Sequence, residues 1–171
     1  MPDAVITFRG REAVWWVVAA AVVLADHATK WLASELMSSR PPVVVTPFFN
    51  FVLAHNTGAA FSFLAEGSGW QRWFFAGIAV VAAALISILI RRHAAERLFC
   101  AGLALILGGA VGNLIDRLAW GHVVDFLQLH AAGWYWPAFN VADSAITIGA
   151  VLVVIDSFRR KPGRGGPDGA T

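Results

Sequence analysis

Apolar residues fall into four long runs, at about residues 13–33, 71–90, 97–115 and 139–158. Each approaches the roughly 20 residues that a helix needs to cross a bilayer, so the pattern predicts four spanning helices. The stretch PPVVVTPFFNFVLAHNTGAAF, within about 41–65, has a different texture. It is rich in Val, Phe and Thr and broken by proline, which favours short strands over helix. The predicted fold class is therefore mainly α and integral to a membrane: four transmembrane helices with a small β-rich segment at the outer membrane surface. The ending RRKPGRGGPDGAT combines Gly, Pro and charge and predicts a disordered cytoplasmic tail over residues 161–171, leaving 1–160 as a single membrane-embedded domain.

Composition strengthens this picture. Of 171 residues, 58% are hydrophobic and 14% charged, and a mean hydropathy of +0.64 lies outside the range of ordinary soluble domains. The net charge of +2 does not point to nucleic acid, because the basic residues are divided among short loops and termini instead of forming one face. The single cysteine, Cys100, cannot form an internal disulfide and sits in an apolar run where a small side chain packs well. Arg9 and Arg11 give the first run the look of a signal peptide. It continues into ADHATKWL without a small-residue cleavage site, which favours an uncleaved anchor.

Basic residues mark the cytoplasmic ends of spans. Arg9 and Arg11 precede the first, Arg91, Arg92 and Arg97 separate the second from the third, and Arg159, Arg160, Lys161 and Arg164 follow the fourth. Both termini are thus expected in the cytoplasm, with the loops at about 34–70 and 116–138 facing outward. Trp70, Trp73, Trp120, Trp134 and Trp136 then fall at the outer interface, where aromatic rings are favoured. In this orientation Asp26, Lys30, Asn113, Asp116, Arg117, Asn140 and Asp143 all come to the outer ends of their helices, with Asp125 in the outer loop. The turn NTGAAF is expected to bring Asn56 to the same cluster, with Gly58 supplying a backbone conformation closed to other residues.

Carboxylates at membrane depth are costly unless paired, hydrated or functional. In DHATK, Asp26 and Lys30 are spaced i, i+4 and can pair; a salt bridge anchoring the helix end explains them more simply than catalysis does. In GGAVGNLIDR the glycines read most simply as helix-packing contacts, and Arg117 can pair with Asp116 or a neighbouring acid. Asp143 in FNVAD, taken alone, is adequately explained as a helix cap, and Asp125 in VVDF as an ordinary loop acid. Two acids converging with three asparagines on an apolar face favour function over those separate explanations. His27, His55, His93, His122 and His130 lack metal-ligand spacing. Ser62 and Ser144 lack the context of a serine nucleophile.

Taken in order, DHATK, NTGAAF, GGAVGNLIDR, VVDF and FNVAD resemble the motifs of the bacterial lipoprotein signal peptidases, the signal peptidase II family, over nearly the whole chain apart from its termini. The resemblance implies an aspartic endopeptidase that removes the signal peptide from diacylglyceryl-modified prolipoproteins, cutting before the lipidated cysteine. It implies Asp125 and Asp143 as the catalytic pair. Asn56, Asn113, Asp116, Arg117 and Asn140 would line or support the site, with Asp26 and Lys30 at its edge. It further implies no metal or organic cofactor, contact with membrane lipid, inhibition by the cyclic peptide globomycin, and residence in the bacterial inner membrane with the site near the periplasmic leaflet. Two rival classes are a small ion- or proton-coupled transporter and a structural four-helix subunit. A transporter needs titratable groups distributed across the membrane, whereas these cluster at one end. A structural subunit would tolerate loss of either aspartate.

Overall fold

The computed structural model describes residues 3–58 and 69–159. Four helices, α1 (Asp3–Met37), α2 (Trp70–Arg92), α3 (Arg97–Trp120) and α4 (Val141–Arg159), are joined with four strands, β1 (Val43–Thr46), β2 (Phe49–Asn56), β3 (Val123–Ala131) and β4 (Trp134–Tyr135). Each helix contains a stretch long and apolar enough to cross a membrane. Their outward faces carry large apolar side chains such as Val17, Leu24, Val81 and Phe158, which suits a lipid solvent.

Helix α3 is the centre of the bundle: half of its span is buried, against 11–17% of the others. Its small residues permit this. A Cβ on Gly108 would strike the Ala19 carbonyl and Val22 of α1, and one on Gly109 would strike the Ala142 carbonyl and Ile146 of α4. Gly102 and Gly149 lie back to back, each without room for a methyl against the other's carbonyl. Close backbone approach of this kind holds helices together where no hydrophobic drive separates them from lipid. Ile86, Ile90, Leu103, Leu107 and Ala19 form the apolar core.

The strands form one antiparallel sheet in the order β1-β2-β3-β4. The expected β-rich segment supplies only half of it. The other half, β3 and β4, lies in the connection expected to be an outer loop, so Asp125 is a strand residue paired with Ala54 of β2. A bulge in β2 between Phe51 and Ala54 shifts the register beside it. Gly121 ends α3 in the left-handed conformation, φ 80°, with its N–H on the Arg117 carbonyl, and turns the chain straight into β3. Ser62 and the tail 161–171 lie outside the described residues.

Candidate active site

Residues from five elements meet at the end of the bundle where the sheet lies. Asp26 and Lys30 come from α1, Asn56 from β2, Asn113, Asp116 and Arg117 from α3, Asp125 from β3, and Asn140 and Asp143 from the start of α4. Asp26, Lys30, Asn113, Asp116, Asp125 and Asn140 are all buried. Buried polar groups at this density are tolerable only when they satisfy one another.

The start of α4 shows how local sequence builds the site. Asn140 is the cap: its Oδ1 accepts the Asp143 N–H at 2.9 Å, while an Asp143 carboxylate oxygen accepts the Asn140 N–H at 3.2 Å. This reciprocal arrangement has the form of a capping box, with Asn and Asp in the two roles. Another amide of the first turn, that of Ala142, donates to Asp26 at 2.9 Å across from α1. Asp143 is therefore both a helix cap and a member of the cluster. The two explanations do not compete.

Asn140 also joins the acids. Its Nδ2 donates to Asp125 at 2.7 Å and lies 3.2 Å from the Val124 carbonyl and 3.3 Å from Asn113 Oδ1. The second Asp125 oxygen accepts Asn56 Nδ2 at 3.0 Å. The second Asp143 oxygen accepts Asn113 Nδ2 at 2.8 Å. Asn56 is itself held by the Gly58 N–H on its Oδ1 at 2.8 Å, at a turn where Gly58 takes φ 101° and a Cβ would overlap the Phe75 ring.

Beneath the acids lies a charge cluster. Lys30 Nζ donates to Asp26 at 2.6 Å, Asp116 at 2.8 Å and Asn113 Oδ1 at 2.9 Å. Of the two partners expected for Arg117, Asp116 or a neighbouring acid, Asp116 is taken by Lys30. Arg117 instead donates to the Asn113 carbonyl at 3.3 Å and lies over the Phe75 ring, while its charge reaches Asp143, Asp125 and Asp116. Its Nε is buried and has no hydrogen-bond partner among the described residues.

Burial, helped by the negative charge of Asp143, pushes the Asp125 carboxyl up to about 6 from its ordinary 3.8; the bonds from Asn56 and Asn140 and the charge of Lys30 pull it partly back. One carboxyl inclined to hold a proton beside another acid is suited to general acid–base work. Among the described residues no three His, Cys, Asp or Glu side chains converge as a metal would require. Ser144 Oγ bonds the Asn140 carbonyl, which does not prepare a nucleophile.

Two contributors had no sequence signal. His27 Nε2 stands 3.6 Å from Asp116, a contact between helices that spacing cannot reveal. The Ala142 amide is invisible until its cap is known. Of the other histidines, His55 and His122 pack ring edge to face at 4.5 Å, His130 stacks on Tyr135, and His93 bonds the Leu89 carbonyl.

The chain matches the family described as signal peptidase (SPase) II over residues 18–159. It is 53% identical over 154 residues to a protein of Paraburkholderia phymatum named lipoprotein signal peptidase, covering 90% of this chain and 93% of that one. A protein of the same name from Janthinobacterium sp. (strain Marseille) is 56% identical over 146 residues, 85% of this chain and 88% of that one. A solved structure described as a bacterial membrane enzyme, determined by the in meso method at 1.9 Å resolution, aligns with a TM-score of 0.76 at 30% identity, over 87% of this chain and 95% of that one.

Proposed function

The chain belongs to the signal peptidase II family, and from that membership we propose that Asp125 and Asp143 are the catalytic pair of its peptidase reaction. The protein is a multi-pass membrane endopeptidase that removes the signal peptide from diacylglyceryl-modified prolipoproteins, cutting before the lipidated cysteine. The observation that carries the catalytic assignment is Asn140, one residue bonded to both carboxylates through its Nδ2 and its backbone N–H.

Asp125 holds the shared proton at rest. Burial favours its neutral form, whereas Asp143 accepts hydrogen bonds from Asn113 Nδ2 and the Asn140 N–H. Asp143 takes a proton from water as it attacks the scissile carbonyl, and Asp125 donates to the carbonyl oxygen. The C–N bond then breaks, the amine leaves with the proton that Asp143 took up, and one hydroxyl of the intermediate returns its proton to Asp125 as the carboxyl product forms. Arg117, with an unpartnered Nε, contacts the peptide beside the reacting bond and stabilises developing negative charge. A groove of about 460 Å³ lined by Leu129, Trp136, Phe139, Asp143, Ser144, Thr147 and Ile148 opens onto Asp143 and suits the apolar part of a substrate. No metal or organic cofactor takes part.

The same reading puts the protein in the bacterial inner membrane, both termini cytoplasmic and the site near the periplasmic leaflet, supported by Arg91, Arg92 and Arg97 at the opposite end of the bundle. There the lipid chains of the substrate remain in the bilayer while its peptide bond reaches water. Membrane lipid and a globomycin-type inhibitor are the other expected partners. The test is inhibition kinetics in detergent. A globomycin-type cyclic peptide is expected to raise KM without changing kcat and to bind Arg117→Ala more weakly, whereas inhibition independent of substrate concentration would exclude a shared site.

A further inference from the structure

Three asparagines donate to the two aspartates, and each is useful only if its amide points the right way, Nδ2 toward the acid. For Asn56 the direction is fixed by the Gly58 N–H on its Oδ1, and for Asn140 by the Asp143 N–H. Both fixing groups are backbone amides. Asn113 differs: the side chain that takes its Oδ1 most closely is Lys30, at 2.9 Å.

Lys30 Nζ has three hydrogens and three acceptors within 2.9 Å, on Asp26, Asp116 and Asn113. Nothing is left to donate to Asp125 or Asp143, so Lys30 is not itself an acid or base of the reaction. Because it can only donate, it admits only the oxygen of Asn113 on its side, and Nδ2 must turn to Asp143, which it meets at 2.8 Å. The same Asn113 oxygen is within 3.3 Å of Asn140 Nδ2, helping to aim that amide toward Asp125.

We propose that Lys30 is a positioning residue that sets the orientation of the Asn113 amide and, through it, the hydrogen bond that Asn113 donates to Asp143, the base of the pair. The proposal rests on the reading of Asp125 and Asp143 as catalytic. Without a donor at position 30, Asn113 loses the closer of the two donors on its Oδ1 and keeps only the 3.3 Å contact from Asn140 Nδ2. A flipped amide would present oxygen to Asp143, which is tolerable only if Asp143 is protonated and therefore useless as a base.

The test compares two uncharged side chains of similar length. Lys30→Gln keeps an N–H for Asn113, and Lys30→Met does not, while both remove the same charge from between Asp26 and Asp116. With purified full-length protein in detergent and a diacylglyceryl-modified prolipoprotein as substrate, Lys30→Met is expected to lose about 100-fold in kcat at nearly unchanged KM, the scale of a misplaced catalytic group. Lys30→Gln is expected to keep kcat at least tenfold above Lys30→Met at a similar thermal midpoint. Equal kcat in the two variants, or wild-type kcat in Lys30→Met, overturns the proposal. If neither variant folds, Asn113→Asp decides. It keeps an acceptor for Lys30 while replacing the donor to Asp143 with a negative charge, and is expected to fold, to lose kcat, and to move the acid limb of the pH profile upward. Wild-type cleavage by Asn113→Asp overturns the proposal. Asp125→Asn and Asp143→Asn run alongside: if they still cut, the catalytic assignment has failed, whereas if they are dead and Lys30→Met is normal, only the role of Lys30 has.

Discussion

Asp125→Asn should stabilise the protein at neutral pH while abolishing its activity. Asp125 is 2% exposed, and burial raises its carboxyl from 3.8 to about 6. At roughly 1.4 kcal/mol per pH unit, that rise corresponds to about 3 kcal/mol of destabilisation carried by the ionised form. The sign follows from linkage. Between pH 3.8 and about 6 the folded state holds a proton that the unfolded state has released, so stability falls as pH rises through that window and is flat above it. An amide at position 125 carries no such cost. It does offer one acceptor oxygen where the carboxylate offered two, so either the Asn56 or the Asn140 bond is lost, at about 1 kcal/mol. The net gain above pH 6 is about 1–2 kcal/mol, or roughly 2–8 °C in thermal midpoint for a chain of this size. Below pH 4 the advantage should vanish or reverse. The assay is thermal unfolding of both proteins in the same detergent from pH 4 to 8. A variant less stable than wild type at pH 8, or a difference that does not change with pH, would refute the reasoning.

Three further outcomes follow from the same geometry. With Asp125 proposed as the acid, which must hold its proton to act, kcat/KM should fall as pH rises through about 6; a profile level from pH 5 to 8 contradicts this assignment. Gly109→Ala forces a methyl into the Ala142 carbonyl and Ile146 and should cost about 1–3 kcal/mol, read as a lowered thermal midpoint, with an unchanged midpoint arguing against the close α3–α4 contact. Asp26→Ala removes the charged acceptor of the Ala142 N–H and a partner of Lys30. It should cost about 1.5–3 kcal/mol and speed amide exchange in the first turn of α4 more than elsewhere, a pattern that uniform exchange would contradict.

The four helices were legible because lipid imposes a length and a composition that apolar runs display directly. Their ends were less so: α1 continues to Met37 and α3 to Trp120, past the apolar runs that announced them. The strand holding Asp125 was hidden for a different reason. VVDFLQLHA places a buried acid on the face that a strand would ordinarily keep apolar, and its partner β2 lies some 70 residues earlier, so only the fold shows the pairing. The convergence of Asn56, Asn113 and Asn140 on the two aspartates could be anticipated from motif order and helix orientation. Which cation answers which acid could not: Lys30 keeps Asp26 and takes Asp116 as well, because α1 and α3 approach closely at Gly108 and Gly112, where Asp26 packs against the bare backbone.

The most direct measurement is cleavage of a purified diacylglyceryl-modified prolipoprotein, with the cut position read by mass spectrometry, using detergent-solubilised wild type, Asp125→Asn and Asp143→Asn, each with and without a chelator. Wild type should cut before the lipidated cysteine equally well in both conditions, and neither variant should cut although both stay folded. Loss of wild-type activity to the chelator, or cutting by both variants, would contradict a metal-independent aspartate pair.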